Sequence, residues 1–180
     1  MSNEFLDAVS RGDVGLVKRY LADGVDVNFH DYSGPWSDFD ATDIAAKKGD
    51  LEMLQLLLDA GARNRTFVEW GIHSQHADVV REWLKLDDAK ELINIPDGSV
   101  WSTKLMGAAR GSVEIVRLLV EGGANVDDRS LDDESPLDIA VDAHNTEVIN
   151  YLWPLCSQET RERAGLPNDP RNPTSEPTDS

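Results

Sequence analysis

The sequence contains one cysteine, Cys156, among its 180 residues. No disulfide can form within the chain, so cysteine usage gives no indication of an oxidising compartment. Long apolar runs are missing too, because none approaches the roughly 20 residues that a helix needs to cross a bilayer. Residues 1–11 include two acidic side chains and lack the apolar core of a secretory signal. We therefore expect a cytoplasmic protein that does not enter a membrane.

Basic residues are half as numerous as acidic ones, with 17 Lys and Arg against 34 Asp and Glu. The net charge is −17 at pH 7 and the isoelectric point lies near 4.4. A field of this sign repels nucleic acid and anionic membrane surfaces and attracts cationic partners. The charge therefore favours a basic protein as partner. The alternative is an acidic surface that only keeps the protein in solution.

The patterns of common catalytic and metal sites are also absent. There is no glycine-rich phosphate loop and no nucleophile elbow, and the acidic runs lack the ligand spacing of a calcium loop. Cys156 has no histidine close in sequence and is interpreted as a small buried residue. His73 and His76 could share a helix face but have no third ligand for zinc. We expect no enzymatic activity, no cofactor and no metal.

The sequence does contain a helical pattern that returns at nearly regular intervals. Its reference positions are Gly12, Gly49, Gln75, Gly111 and His144. The intervals between them are 37, 26, 36 and 33 residues, which sum to 132, or four times 33. The positions four, five, eight and nine residues after each reference are apolar in all five copies. This spacing places one apolar stripe along a helix in every copy.

These helices have signals at both ends. Four copies carry a residue that can accept from the free amides of the first helical turn, directly after the reference position: Asp13, Asp50, Ser112 and Asn145. Three copies carry a glycine that can end the helix in the left-handed conformation, 12 residues after the reference position: Gly24, Gly61 and Gly123. The third copy lacks this glycine, and its helix is expected to continue through residues 87–89.

Residues 103–126 read TKLMGAARGSVEIVRLLVEGGANV. This stretch resembles one ankyrin repeat, whose period is about 33 residues, and residues 135–140 resemble the opening of such a repeat. The resemblance implies an all-α solenoid of stacked helix-turn-helix units with connecting loops. The predicted repeats cover residues 3–31, 40–65, 66–95, 103–128 and 135–164, and the third is degenerate.

The boundaries of this array follow from the same alignment. We place the array at residues 1–165, with a short polar helix in residues 157–164. The proline-rich tail at residues 166–180 is expected to be disordered. The opening histidine of the family, usually credited with hydrogen bonds between repeats, is missing from every copy. Asp43 and Asp138 stand at its position in two of them and could form substitutes.

The resemblance further implies that partners are bound through loops and first helices. The first interval is four residues longer than the period, and its connection is rich in aromatic and acidic residues. The candidate binding residues there are Asp31, Tyr32, Trp36, Asp38, Phe39 and Asp40. Exposed aromatic side chains are typical interface anchors. Alternatively, Trp36 folds down onto the first helices as a plug.

A second acidic run, residues 127–142, has seven acidic residues and Arg129 as its one basic residue. We select Asp132, Asp133 and Glu134 from it as candidate binding residues. Stacking is expected to bring both acidic regions onto one rim. The alternative is a solvated acidic rim that binds no partner. Trp101 follows a Pro-Asp-Gly turn and is either another anchor or a cap over the short fourth-copy helix.

These features predict a non-catalytic module that binds a basic protein. Its composition is most like that of an inhibitor or an immunity or antitoxin protein that neutralises a cationic toxin or nuclease. The alternative is a scaffold that joins two partners without inhibiting either. We expect a monomer that does not bind nucleic acid directly.

Overall fold

The computed structural model describes residues 2–30, 37, 39–96 and 102–171. All regular secondary structure in these residues is helical, in twelve helices, which confirms the predicted all-α fold. None of the described helices has the length and apolarity required to cross a bilayer. The chain divides into two compact units, residues 1–83 and 84–180.

The first unit is built from three helical pairs. The helices are α1 (Ser2–Arg11), α2 (Val14–Ala22), α3 (Ala41–Lys48), α4 (Leu51–Asp59), α5 (Phe67–His73) and α6 (Ala77–Leu84). The two helices of each pair are joined by a turn of two or three residues. The first helix of each pair packs against the first helix of the next, α1 on α3 and α3 on α5. These first helices therefore form a continuous row.

The second unit repeats this arrangement. Its helices are α7 (Ala89–Leu92), α8 (Lys104–Ala109), α9 (Val113–Glu121), α10 (Pro136–Asp142), α11 (Thr146–Leu152) and α12 (Gln158–Arg163). The first helices α8 and α10 pack together, as do the second helices α9 and α11. The expected continuation of the third-copy helix is wrong, because α6 ends at Leu84 and the separate helix α7 buries Ala89 and places Ile93 in the core.

The apolar stripe explains why the second helices pack. Of the twenty stripe positions, twelve are buried and none is exposed. Burying an aliphatic or aromatic side chain of this size contributes roughly 1.5–3 kcal/mol. The stripe is therefore a main source of stability in both units.

The predicted helix ends are confirmed. Each predicted N-cap side chain accepts a backbone amide of its first turn, at 2.9 Å for Asp13, 3.0 Å for Asp50, 3.2 Å for Ser112 and 3.3 Å for Asn145. The predicted terminating glycines have φ of 86°, 91° and 104°: Gly24, Gly61 and Gly123. The reference positions Gln75 and His144 also have positive φ, like Gly12 and Gly49. The turn imposes this left-handed conformation even where glycine, which adopts it most easily, is absent.

The C-terminal helix α12 forms where a short polar helix was predicted. The tail prediction needs a correction for residues 166–171, because Leu166 and Arg171 contact Trp153, the residue directly after α11. The indole Nε1 of Trp153 donates to the carbonyl of Leu166 at 2.9 Å. The guanidinium groups of Arg161 and Arg171 lie 4.6 and 5.8 Å from the centroid of the Trp153 indole. The contacts of Leu166 and Arg171 with Trp153 hold the proline-rich segment in place, because a cation binds favourably to the face of an aromatic ring.

Candidate functional site

The connection between α9 and α10 carries the most exposed large apolar side chain in the described part of the chain. Leu131 is 67 % exposed, compared with 51 % for Ile95 and 47 % for Leu155. A single exposed leucine is common on soluble proteins. Leu131 differs because it lies within the acidic run selected from the sequence. We refer to residues 129–134 as the acidic loop.

Hydrogen bonds fix the backbone of the acidic loop. The amide of Ser130 donates to the carbonyl of Glu134 at 3.0 Å, and the amide of Asp133 donates to the carbonyl of Ser130 at 3.0 Å. Asp133 has φ of 64°, in the left-handed region that closes such a turn. Arg129 donates through Nη1 to the carbonyl of Asp133 at 2.8 Å. Leu131 is therefore presented on an ordered turn.

The three acidic residues predicted in this loop have different surroundings. The carboxylate of Asp133 forms ion pairs with Arg163 and, at 3.7 Å, with Arg129. Asp132 is exposed, and Glu134 is partly buried. Asp133 thus has an internal role in joining the loop to α12. Its exposed ion pairs contribute little stability, typically below about 1 kcal/mol.

The other predicted site residues lie near the start of α3 or outside the described residues. Asp31, Tyr32, Trp36, Asp38 and Trp101 belong to the second group. Asp40 is the N-cap of α3, where it accepts the amide of Asp43 at 3.0 Å. Its carboxylate also accepts the hydroxyl of Thr42 at 2.7 Å. Asp40 therefore has a structural role that sequence analysis did not assign to it.

Phe39 belongs to an aromatic cluster instead of standing alone. Its ring centroid lies 4.6 Å from that of Trp70, and the two planes are inclined by 42°. The ammonium of Lys47 lies 4.5 Å from the Phe39 centroid and 5.1 Å from the Trp70 centroid. Trp70 also makes an edge contact with His73, with centroids 6.4 Å apart. We call the position that the Lys47 ammonium occupies beside both rings the aromatic cleft.

Among the described residues of the first unit, Asp43 has the carboxyl group whose pKa is shifted most. Its side chain is 6 % exposed, and desolvation, helped by the negative charge of Asp40, raises its pKa from 3.8 to about 7. Its Oδ1 accepts Nδ2 of Asn64 at 2.9 Å. The Oδ1 of Asn64 in turn accepts the amide and the hydroxyl of Thr66 at 2.8 and 2.7 Å. Asp43 therefore links α3 to the start of the next repeat.

Asp43 reaches the next predicted repeat only through Asn64, because Asp43 and Asn64 both lie in the repeat predicted at residues 40–65. Asp138 makes different contacts, including an ion pair at 3.7 Å with Arg129 in the connection before α10. Its carboxylate accepts the amide and the hydroxyl of Ser135, at 2.7 and 2.6 Å, within its own repeat. The same sequence position thus serves two different structural purposes.

Comparison with known proteins identifies the repeated unit. Residues 105–152 match the family model described as ankyrin repeats (many copies). Residues 105–152 therefore belong to the ankyrin-repeat family, and the helical pairs in the other described residues are consistent with the same repeat. Ankyrin repeats form protein–protein interaction modules and are generally non-catalytic.

Two curated proteins are similar to this ankyrin-repeat chain. The tyrosine-protein kinase HTK16 of Hydra vulgaris is 30 % identical over 146 residues, which are 76 % of this chain and 19 % of the kinase. The L-asparaginase of Dirofilaria immitis is 26 % identical over 152 residues, which are 81 % of this chain and 25 % of that enzyme. The chain therefore spans at most a quarter of the length of these relatives. Because the two names denote different activities, the similarity identifies no activity for this ankyrin-repeat chain.

Cysteine and histidine side chains occupy structural positions in the ankyrin repeats. Cys156 is 2 % exposed, and burial together with the charge of Asp127 raises the pKa of its thiol to about 12. This confirms its interpretation as a buried apolar residue. The suggestion that His73 and His76 share a helix face is wrong, because α5 ends at His73 and His76 lies in the following turn. Within the described residues, no group of three or more potential ligands could hold a metal ion.

Asparagine side chains between the loops of successive ankyrin repeats were not recognised from the sequence. Asn28 accepts the amide of Arg63 at 2.9 Å and donates to the carbonyl of Gly61 at 3.4 Å. Asn94 makes the same pair of bonds in the second unit, with the amide of Asn125 at 2.9 Å and the carbonyl of Gly123 at 3.1 Å. The sequence contains a signal for these bonds. In both cases the asparagine binds a helix-ending glycine and the residue two positions after that glycine.

Proposed function

We propose that this ankyrin-repeat chain is a non-catalytic module that binds a basic protein through its acidic loop. The observation that carries the proposal is Leu131, which is 67 % exposed on an ordered turn beside the exposed carboxylate of Asp132. A complementary partner has an apolar pocket bordered by Lys or Arg. Opposite charges accelerate such an encounter, and an apolar anchor slows dissociation.

The net charge of −17 extends this complementarity beyond one loop. A strongly acidic protein competes with nucleic acid for a cationic surface, because both present dense negative charge. We therefore propose that the chain inhibits its partner, as an immunity or antitoxin protein inhibits a cationic toxin or nuclease. In the scaffold alternative, the partner keeps its activity when bound.

Replacing Leu131 with Ala is expected to weaken binding about tenfold, because a central anchor residue typically contributes more than about 1 kcal/mol. The measurement uses the full chain as bait, identification of retained proteins by mass spectrometry, and calorimetric titration of the main captured protein. Leu155→Ala is the matched control, since Leu155 is 47 % exposed in the same unit but lies outside the acidic loop.

Two results would contradict this proposal. The first is a captured protein that is not basic. The second is an equal loss of affinity in Leu131→Ala and Leu155→Ala. The inhibitory role is tested separately by adding the chain to the captured protein at equimolar ratio. Loss of the partner's activity supports inhibition, and full retention supports the scaffold alternative.

A further inference from the structure

The aromatic cleft already holds a cation in the free protein. The Nζ atom of Lys47 and the centroids of Phe39 and Trp70 form a nearly equilateral triangle with sides of 4.5, 5.1 and 4.6 Å. A cation within about 6 Å of a ring centroid is attracted by the negative face of the ring. Lys47 therefore satisfies this condition for both rings at once.

The surroundings of the cleft allow exchange of this cation. Lys47 is exposed in the last turn of α3, whereas Phe39 and Trp70 are partly buried and supported by α3 and α5. The rings are thus held by the fold, and the lysine side chain is held mainly by the rings. Asp40 caps α3, and Glu69 lies in the first turn of α5, so both helices begin with negative charge.

We propose that the aromatic cleft is a receptor for a Lys or Arg side chain of the partner, and that Lys47 occupies it in the free protein. The proposal rests on the proposed function only where it assigns this cation to a basic protein. On binding, the partner's cation replaces the ammonium of Lys47, which moves into water. One cation is exchanged for another, so the rings remain covered and the net charge of the cleft does not change.

Arginine is the better ligand of the two. Its planar guanidinium stacks on an aromatic face and is more weakly hydrated than an ammonium, so it loses less on leaving water. At the position that the Lys47 ammonium occupies, a planar guanidinium can lie against both rings from the side.

The test uses the full chain and the pentapeptide Gly-Gly-Arg-Gly-Gly, followed by nuclear magnetic resonance of the Trp70 indole N–H. Trp70→Phe assigns this resonance. Lys47→Ala removes the lysine from the cleft, and Lys48→Ala removes the same charge from the neighbouring exposed position. We expect the peptide to bind Lys47→Ala about two- to fivefold more tightly than Lys48→Ala, which is the effect of an exposed cation–aromatic contact.

A second peptide with citrulline in place of arginine keeps the shape and removes the side-chain charge, and both peptides are acetylated at the N-terminus so that neither carries an α-ammonium. It is expected to leave the Trp70 resonance unchanged. Equal affinity of the two lysine variants, or an equal response to both peptides, would overturn the proposal. Neither result depends on Leu131. If the peptide experiment fails, the acidic loop remains a candidate site, and if the Leu131 experiment fails, the aromatic cleft remains one.

Discussion

Raising the pH from about 4.5 to about 8.5 is expected to remove a contribution of Asp43 to the free energy of unfolding. The variant Asp43→Asn is expected to lack this pH-dependent contribution. The pKa of Asp43 is raised from 3.8 to about 7, first by desolvation and then by the charge of Asp40. The folded protein therefore binds this proton more tightly than the unfolded chain does. The stabilisation is complete below the unfolded value and is lost as the pH rises through about 7.

The expected size of this effect is a few kcal/mol, since each pKa unit corresponds to about 1.4 kcal/mol. Urea unfolding of the wild type and of Asp43→Asn, followed by circular dichroism across this pH range, measures it. The relevant quantity is the difference between the free energies of unfolding of the two proteins at each pH. The amide of Asp43→Asn also changes a hydrogen bond, but this adds the same amount to the difference at every pH. This difference should shift in favour of Asp43→Asn as the pH rises, and a difference that is constant with pH contradicts the assignment.

A second variant tests the direction of the pKa shift. The hydrogen bond from Asn64 lowers the pKa of Asp43. Removing it in Asn64→Ala should therefore move the titration of the Asp43 carboxyl carbon to higher pH. A movement to lower pH would show that the link between α3 and the next repeat is not formed as described.

Replacing Trp83 with Ala is expected to destabilise the protein by about 3–5 kcal/mol, the usual cost of deleting a large aromatic side chain from a core. Trp83 is completely buried in α6, and its Nε1 donates to the carbonyl of Arg65 at 3.0 Å. The substitution removes both the packing and a hydrogen bond to the connection that precedes α5. Thermal and urea unfolding of the purified variant give the change.

Two further substitutions separate these contributions. Trp83→Phe keeps most of the apolar volume and leaves the Arg65 carbonyl without this donor, so it should cost about 1–3 kcal/mol. Trp153→Ala serves as a control, because Trp153, which directly follows α11, is only partly buried. A cost for Trp153→Ala as large as that for Trp83→Ala would contradict the assignment of Trp83 to the core.

The elements that sequence analysis predicted correctly depend on local information. The stripe and the caps repeat within each copy, so the helix α9 (Val113–Glu121) could be placed from its own residues. The same alignment selected Asp43 and Asp138 as possible links between repeats, and Asp43 reaches the next repeat through Asn64. Local patterns of this kind survive even where the intervals vary from 26 to 37 residues.

The aromatic cleft could not be predicted in this way. Phe39 and Trp70 are 31 residues apart, and Trp70 lies in the copy whose first helix departs most from the pattern. Their contact depends on the packing of α3 against α5. The importance of Leu131 was missed for a different reason, since one apolar residue in an acidic run has no periodicity. Its exposure became evident only from the turn that presents it.

The prediction of a disordered tail was too broad because composition ignores individual contacts. Residues 166–171 are rich in proline and polar residues, yet Leu166 and Arg171 both contact Trp153. The sequence assigned Trp153 to the apolar stripe. No pattern in the sequence indicates that Trp153 also binds the segment that follows α12.

The dissociation constant of the captured partner at increasing salt tests the central claim most directly. The screening length falls from about 10 Å at 0.1 M to about 3 Å at 1 M, so binding driven by a charge of −17 must weaken over this range. We predict a steady rise of the dissociation constant with salt, smaller when Asp132 is replaced by Asn. A dissociation constant that stays the same from low to high salt would contradict recognition of a basic protein by the acidic loop.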